Sequence, residues 1–359
     1  MAQTIFLTFC LIFFLIPTLF TEAHALKQQL HKHHHHRRHG SSSVEKIFVF
    51  GDSYADTGNY RKSVPGPWKE PYGITFPGKP AGRFSDGRVL IDYIASYVGA
   101  KSPISYTWRK SVNSSELQHG MNFAHGGTGV FNTLVDEPNM TTQVKFFQQL
   151  VEEKVYTKHD LNSSIALVSL AGNDYATYLI KNGDLQGLPA LTKSIVKQLA
   201  TNLKLILGMG VPQIAVTGME PMGCLPQLAA FSSYKNCSET WNSASRFHNQ
   251  LLLQEVQKFN NESKKPVVYI LDLYSAFMSA LTGQENHSGN LELKISLEPC
   301  CVGVSDNYFC GNVDKNGQKK YKVCKNPESS FFWDNIHPAQ NGWHAVFSAL
   351  RSSLRKELL

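Results

Sequence analysis

The chain has 359 residues, 42% of them hydrophobic, enough to bury a large core and too apolar for a disordered protein. Its 26 Gly and 16 Pro are near average, which excludes collagen-like and low-complexity chains. The formal net charge of +7 is partly local, because Lys27, Lys32, Arg37 and Arg38 sit together in residues 26–40. A nucleic-acid footprint spreads its charge over a fold, so no nucleic-acid partner is expected.

The chain opens on an apolar run of 16 residues, Ile5 to Phe20, interrupted by Pro17. A membrane span needs about 20. Ala23-His24-Ala25 supplies a small-x-small cleavage site, so residues 1–25 are expected to be a secretory signal peptide. Residues 26–44 form a basic, His-rich, flexible leader. A single domain over 45–359 follows. No stable membrane insertion is expected once the signal is removed.

Two further features fit a secreted glycoprotein. Charged residues are only 18%, against roughly 25% in ordinary soluble domains. Six Asn-x-Ser/Thr sequons begin at Asn113, Asn139, Asn162, Asn236, Asn261 and Asn286, all expected on the surface. Removal of Cys10 with the signal leaves six cysteines, an even number that suits disulfides in an oxidising compartment. Cys300 and Cys301 are adjacent, so each is expected to bond elsewhere. The remaining connectivity is open.

From Glu45 onward, short β-rich runs alternate with amphipathic ones. Lys46–Phe50 reads as a strand and Gly87–Val98 as a helix, with Val89, Leu90, Tyr93, Ile94 and Tyr97 on one face. Asn122–Ala124 reads as a short strand, Thr141–Val155 as a helix and Ile165–Leu170 as a buried strand. Leu188–Met209 reads as a long helix closed by Gly210. Gln213–Thr217 is a strand, and Ser238–Asn260 a helix capped by Ser238. Val267–Asp272 is a strand, and Ala339–Leu354 the last helix. Strands separated by helices imply right-handed crossovers and a parallel sheet of about five strands, covered on both faces. Long loops at 60–82, 99–120 and 283–330 absorb the remaining chain.

In open α/β sheets function gathers at the carboxyl ends of the strands. There the sequence places Gly51-Asp52-Ser53, then Gly126-Gly127, then Gly172-Asn173-Asp174. Near the end of the chain stands Trp333-Asp334-Asn335-Ile336-His337-Pro338. Ester hydrolysis needs a nucleophile, a base, an orienter of the base and donors for an oxyanion. Ser53, His337 and Asp334 fill the first three roles as candidate catalytic residues. The Ser53 and Gly127 N–H groups and the Asn173 amide are the candidate oxyanion hole. Asp56 and Asn59 are expected to brace the loop after Ser53 by hydrogen bonds. Gly-x-Ser-x-Gly, His-Glu-x-x-His, a phosphate loop and Gly-x-Gly-x-x-Gly are all absent, so no metal and no cofactor are expected.

Phe50-Gly51-Asp52-Ser53-Tyr54-Ala55-Asp56-Thr57-Gly58-Asn59 resembles the first sequence block of the plant GDSL esterase/lipases, in the SGNH-hydrolase superfamily. Asn122-Phe123-Ala124-His125-Gly126-Gly127, Gly172-Asn173-Asp174 and Asp334-x-x-His337 resemble later blocks in the same order. Pro221-Met222-Gly223-Cys224-Leu225-Pro226 and the Cys300-Cys301 pair are similar to plant members too. The resemblance implies a flavodoxin-like α/β/α sandwich. It implies the same roles for Ser53, Asp334, His337, Gly127 and Asn173. Block one reads Gly-Asp-Ser-Tyr here, and His125 stands where relatives often carry a small residue. The expected activity is hydrolysis of acyl or acetyl esters of a small molecule, lipid or polysaccharide, through an acyl-enzyme. A wall-polysaccharide deacetylase and an idle binding glycoprotein on the same scaffold are the alternatives.

Overall fold

Strand β1 (Lys46–Gly51) is buried along its whole length in the computed structural model, which describes residues 44–170, 172–283 and 296–358. The expected signal peptide, the leader up to residue 43 and Asn286 lie outside the described residues. Alternation sends Phe48 and Phe50 into one core and Ile47 and Val49 into the other. Burial of such side chains contributes about 1.5–3 kcal/mol each, so β1 is a main source of cohesion between the two layers.

β1 pairs in parallel with β3 (Gly120–Asn122) on one side and β4 (Ser164–Ser169) on the other. β5 (Ile214–Thr217) and β6 (Val268–Leu271) extend the sheet, and β2 (Ile104–Ser105) forms the opposite edge. The order is β2-β3-β1-β4-β5-β6. Without the edge strand β2 this is the flavodoxin-like order, which reverses at β1 and opens a crevice beyond its carboxyl end. The sheet has six strands where about five were expected, since two-residue β2 leaves no pattern in the sequence.

Among the described residues the helices of eight residues or more are α1 (Leu90–Tyr97), α2 (Met140–Glu152), α3 (Asn173–Ile180), α4 (Leu188–Gly208), α5 (Glu239–Glu262), α6 (Leu273–Thr282) and α7 (Gln340–Leu358). α2, α4 and α5 pack on the Phe48 side, and α1, α6 and α7 on the Ile47 side. The result is a three-layer α/β/α sandwich. No helix among the described residues is long and apolar enough to cross a membrane.

Several boundaries differ from the sequence reading for visible reasons. α1 starts at Leu90 rather than Gly87 because Asp92 accepts the Val89 N–H at 3.0 Å and fixes the first turn. The strand expected at Asn122–Ala124 lies two residues earlier, at Gly120–Asn122. Gly120 enters it at φ +94°, where a Cβ would lie 2.1 Å from the Ile47 carbonyl oxygen. Ser238 precedes α5 but makes no side-chain cap bond. Helices α3 and α6 were not anticipated.

The long loop at 283–330 contains an antiparallel hairpin of β7 (Cys301–Gly303) and β8 (Tyr321–Val323). Cys300–Cys324 and Cys301–Cys310 pin it, and Cys224–Cys237 closes a third loop. Each of the adjacent cysteines thus bonds elsewhere. Of the sequon asparagines, Asn113, Asn162, Asn236 and Asn261 are exposed. Asn139 is half-buried, because its side chain accepts the Thr142 N–H and caps α2.

Candidate active site

Ser53 lies one turn beyond the carboxyl end of β1. Its approach depends on Gly51, where a Cβ would sit 2.0 Å from the Ser169 carbonyl oxygen of the neighbouring strand. Gln143, buried on α2, grips the same residue from the side. Its Nε2 donates to the Gly51 carbonyl and its Oε1 accepts the Gly51 N–H, both at 2.8 Å. A polar side chain on the apolar face of α2 was the one sequence signal of this role.

The loop after Ser53 is held by two acids. Asp52 accepts the Tyr54 N–H at 3.0 Å. Asp56 is fully buried and accepts the N–H groups of Gly58, Asn59, Tyr60 and Gly126 at 2.7–3.0 Å. Burial pushes its carboxyl up to about 7, and the four donors oppose that push. Asn59 donates to the Asn122 and Ala124 carbonyls at 2.8 Å each. Asp56 and Asn59 are therefore braces of this loop. Among the described residues no group of His, Cys, Asp and Glu is placed to hold a metal ion.

Across 284 positions of sequence, His337 meets Ser53, with Nε2 and Oγ 2.8 Å apart. Nδ1 of the same ring lies 2.8 and 2.9 Å from the two carboxylate oxygens of Asp334. Burial alone would raise the Asp334 carboxyl. The facing His337 ring and the N–H groups of Ile336 and His337 outweigh it and hold the carboxyl below its usual value. The three residues thus form one buried hydrogen-bonded chain. Phe84 lies against the imidazole with ring centroids 5.0 Å apart, and the Tyr54 hydroxyl donates to the Ile336 carbonyl at 3.0 Å.

Tyr72 was not legible in the sequence. From the 60–82 loop its hydroxyl donates to Asp334 Oδ2 at 2.8 Å. No local pattern marks a contact made 262 residues away. Tyr72→Phe keeps the ring and leaves Oδ2 one donor short. We expect a stability loss of roughly 1.5–3 kcal/mol, with kcat reduced less than tenfold. An unchanged denaturation midpoint would show that the bond contributes nothing.

Gly127 turns at φ +75° in the loop after β3. Its neighbours are tied to the Ser53 loop, since Gly126 donates to Asp56 and the Thr128 hydroxyl donates to the Gly51 carbonyl at 3.2 Å. Asn173 opens α3, and its Nδ2 donates to Asp52 Oδ2 at 3.1 Å and to the Thr128 carbonyl at 3.0 Å. Nδ2 is thus positioned from two sides. Asp174 beside it accepts the N–H groups of Val130 and Phe131 at 2.8 and 3.0 Å and ties α3 to the Gly127 loop. His125 is buried, with Nδ1 2.8 Å from the Phe123 carbonyl. Burial pushes its imidazole down to about 4, which leaves it neutral.

One buried acid belongs to none of these networks. Glu220 follows β5 and is fully buried, and neither carboxylate oxygen has a hydrogen-bond partner among the described residues. Burial, reinforced by the charge of Asp52, pushes it up to about 8.

Residues 47–350 match the family described as GDSL-like Lipase/Acylhydrolase. The chain belongs to this family. A GDSL esterase/lipase of Arabidopsis thaliana is 48% identical, with 100% of this chain and 99% of that protein covered. A second from the same plant is also 48% identical, over 86% of this chain and 88% of its own length. Acetylajmalan esterase 2 of Rauvolfia serpentina is 30% identical, covering 88% and 91%. Among solved structures, a phospholipase A1 from Streptomyces albidoflavus is similar at a TM-score of 0.35 and 13% identity, covering 86% of this chain and 99% of that one. The GDSL chain is a carboxylic ester hydrolase.

Proposed function

We propose that this GDSL hydrolase is a secreted serine esterase that works through an acyl-enzyme on Ser53. The observation that carries the reading is the unbroken chain from Ser53 Oγ through His337 to Asp334. His337 Nε2 takes the Ser53 proton as Oγ attacks the ester carbonyl carbon. Asp334 accepts from Nδ1–H, which fixes the tautomer and offsets the charge of the imidazolium. The imidazolium returns the proton to the departing alcohol. Water, deprotonated by His337, then releases the acid and restores Ser53.

The Ser53 and Gly127 N–H groups and the Asn173 amide are the proposed donors to the tetrahedral oxyanion. Secretion rests on the 1–25 signal, the sequons and the three disulfides. The 26–44 leader and a single 45–359 hydrolase domain complete the proposed organisation.

A chromogenic short-chain acyl ester tests the reading. Turnover should start with a burst of alcohol matching the enzyme concentration whenever deacylation is slow. Absence of all turnover would overturn it. Asn173→Ala should lower kcat by roughly 10²–10³, the usual cost of one oxyanion donor. Because Asn173 also bonds Asp52 and Thr128, thermal melting must be read beside the kinetics. A variant that melts early yet keeps its kcat would make Asn173 a brace and not a donor.

A further inference from the structure

The buried face of α2 carries Met140, Val144, Phe147 and Leu150, and among them one polar residue, Gln143, which is fully buried. An amide left unpaired in such a place costs roughly 1–3 kcal/mol, so its partners matter. Oε1 accepts the Gly51 N–H at 2.8 Å. Nε2 donates to the Gly51 carbonyl at 2.8 Å and to the Pro138 carbonyl at 2.9 Å, and lies 3.3 Å from Thr128 Oγ1. These partners fix the orientation of the amide, since an N–H can face only Oε1 and the carbonyls only Nε2.

Gly51 needs such a partner because of where the sheet stops. β3 pairs with β1 from Ile47 to Val49, whereas β4 continues as far as Gly51. On the β3 side the N–H and carbonyl of Gly51 therefore have no strand to bond. Gln143 takes both, and the His125 N–H joins it at the carbonyl at 3.1 Å.

Three segments meet at this side chain. Ser53 stands two residues beyond Gly51. Thr128 follows Gly127, and its hydroxyl donates to the same Gly51 carbonyl at 3.2 Å. The Thr128 carbonyl accepts from Asn173 Nδ2 at 3.0 Å. α2 itself starts on the Gly127 loop, because the Met140 N–H donates to the Gly129 carbonyl at 3.0 Å. The segments that carry the Ser53 N–H, the Gly127 N–H and the Asn173 amide are thus tied to Gln143 directly or through Thr128.

We propose that Gln143 is the positioning residue of the oxyanion hole, setting the place of Ser53 relative to the other two donors. The inference rests on the esterase reading above and adds to it a residue that touches no reacting atom. The amide holds Gly51 and Thr128 in register, so that the three donors converge on one oxygen as Ser53 Oγ attacks. Misalignment weakens the hold on the tetrahedral oxyanion and leaves binding of the planar ester alone.

Gln143→Met, of similar length and apolar, is the test, beside Gln143→Glu, which keeps an acceptor for the Gly51 N–H and loses at least one donor. Working serines are first counted with a p-nitrophenyl phosphonate: Ser53 Oγ bonds to phosphorus, p-nitrophenolate leaves, and His337 takes the serine proton. Rates are then read per labelled serine, so a poorly folded preparation still gives them. We expect Gln143→Met to lose roughly 10- to 100-fold in kcat with KM little changed, and Gln143→Glu to lose less. Affinity for a trifluoromethyl ketone, whose adduct with Ser53 carries the tetrahedral oxyanion, should fall with kcat/KM. In both variants, an unchanged kcat per labelled serine or a change confined to KM would overturn the proposal, as would undiminished affinity for the ketone. If Gln143→Met gives no labelled serine, Gln143→Glu decides by the same readings. A parent that takes no label and cleaves no ester would bring down the serine-esterase reading and this inference together. A labelled, active parent with unimpaired variants would remove the role of Gln143 alone.

Discussion

Ser53→Ala is expected to reduce kcat/KM on any ester by a factor of about 10⁴ or more, leaving only what the oxyanion donors and binding supply. The fold should persist. Among the described residues the hydroxyl makes one bond, to His337, whose ring stays tied to Asp334 and packed against Phe84. Melting temperature and ester kinetics on the same preparation check this. Near-normal turnover by a folded Ser53→Ala protein would exclude an acyl-serine.

Glu220→Gln should change the pH dependence of stability more than any other single substitution near the site. The wild-type carboxyl titrates at about 8 when folded and near ~4.3 when unfolded. Between those values the folded chain holds a proton that the unfolded chain has lost. Stability from this group is therefore full below about pH 4 and falls as pH rises to about 8, by roughly 1.4 kcal/mol per pH unit. Above that window its contribution is constant. Glutamine cannot ionise, so the variant should gain on the wild type steadily from pH 5 to 8. Against a total stability of about 5–15 kcal/mol such a gain is large. The neighbouring Asp52 and Tyr54 feel the same charge, so they also bear on its onset. Denaturant unfolding at several pH values measures the difference, and a constant difference across the window would place the Glu220 carboxylate in contact with water.

What could be read from the sequence depended on whether the information was local. β1 was legible because every residue of Ile47–Phe50 is apolar and a turn follows at once. The Ser53, His337 and Asp334 set was legible because each lies at a strand end or in a short motif. α3 was missed because its opening residues, Asn173 and Asp174, are turn formers whose side chains bond to Thr128, Val130 and Phe131, far away in sequence. Tyr72 and Gln143 are long-range partners and left at most one local clue. Glu220 stands directly before a motif chosen for its Pro, Gly and Cys residues. Its isolation became visible only once burial was known.

The 284-residue interval between Ser53 and His337 has a consequence for biosynthesis. The serine side of the site is among the first parts of the domain to be translated, and the histidine side among the last. Contacts this far apart in sequence close late and at a cost in chain entropy. His337 is carried on the segment leading into α7, whose Trp343 docks in the core against Tyr54 and Phe277. On the proposed mechanism, a nascent or truncated chain that stops short of residue 337 should be hydrolytically silent, however much of its sheet has formed. On that mechanism, ester turnover during refolding is a clock for the closing step alone.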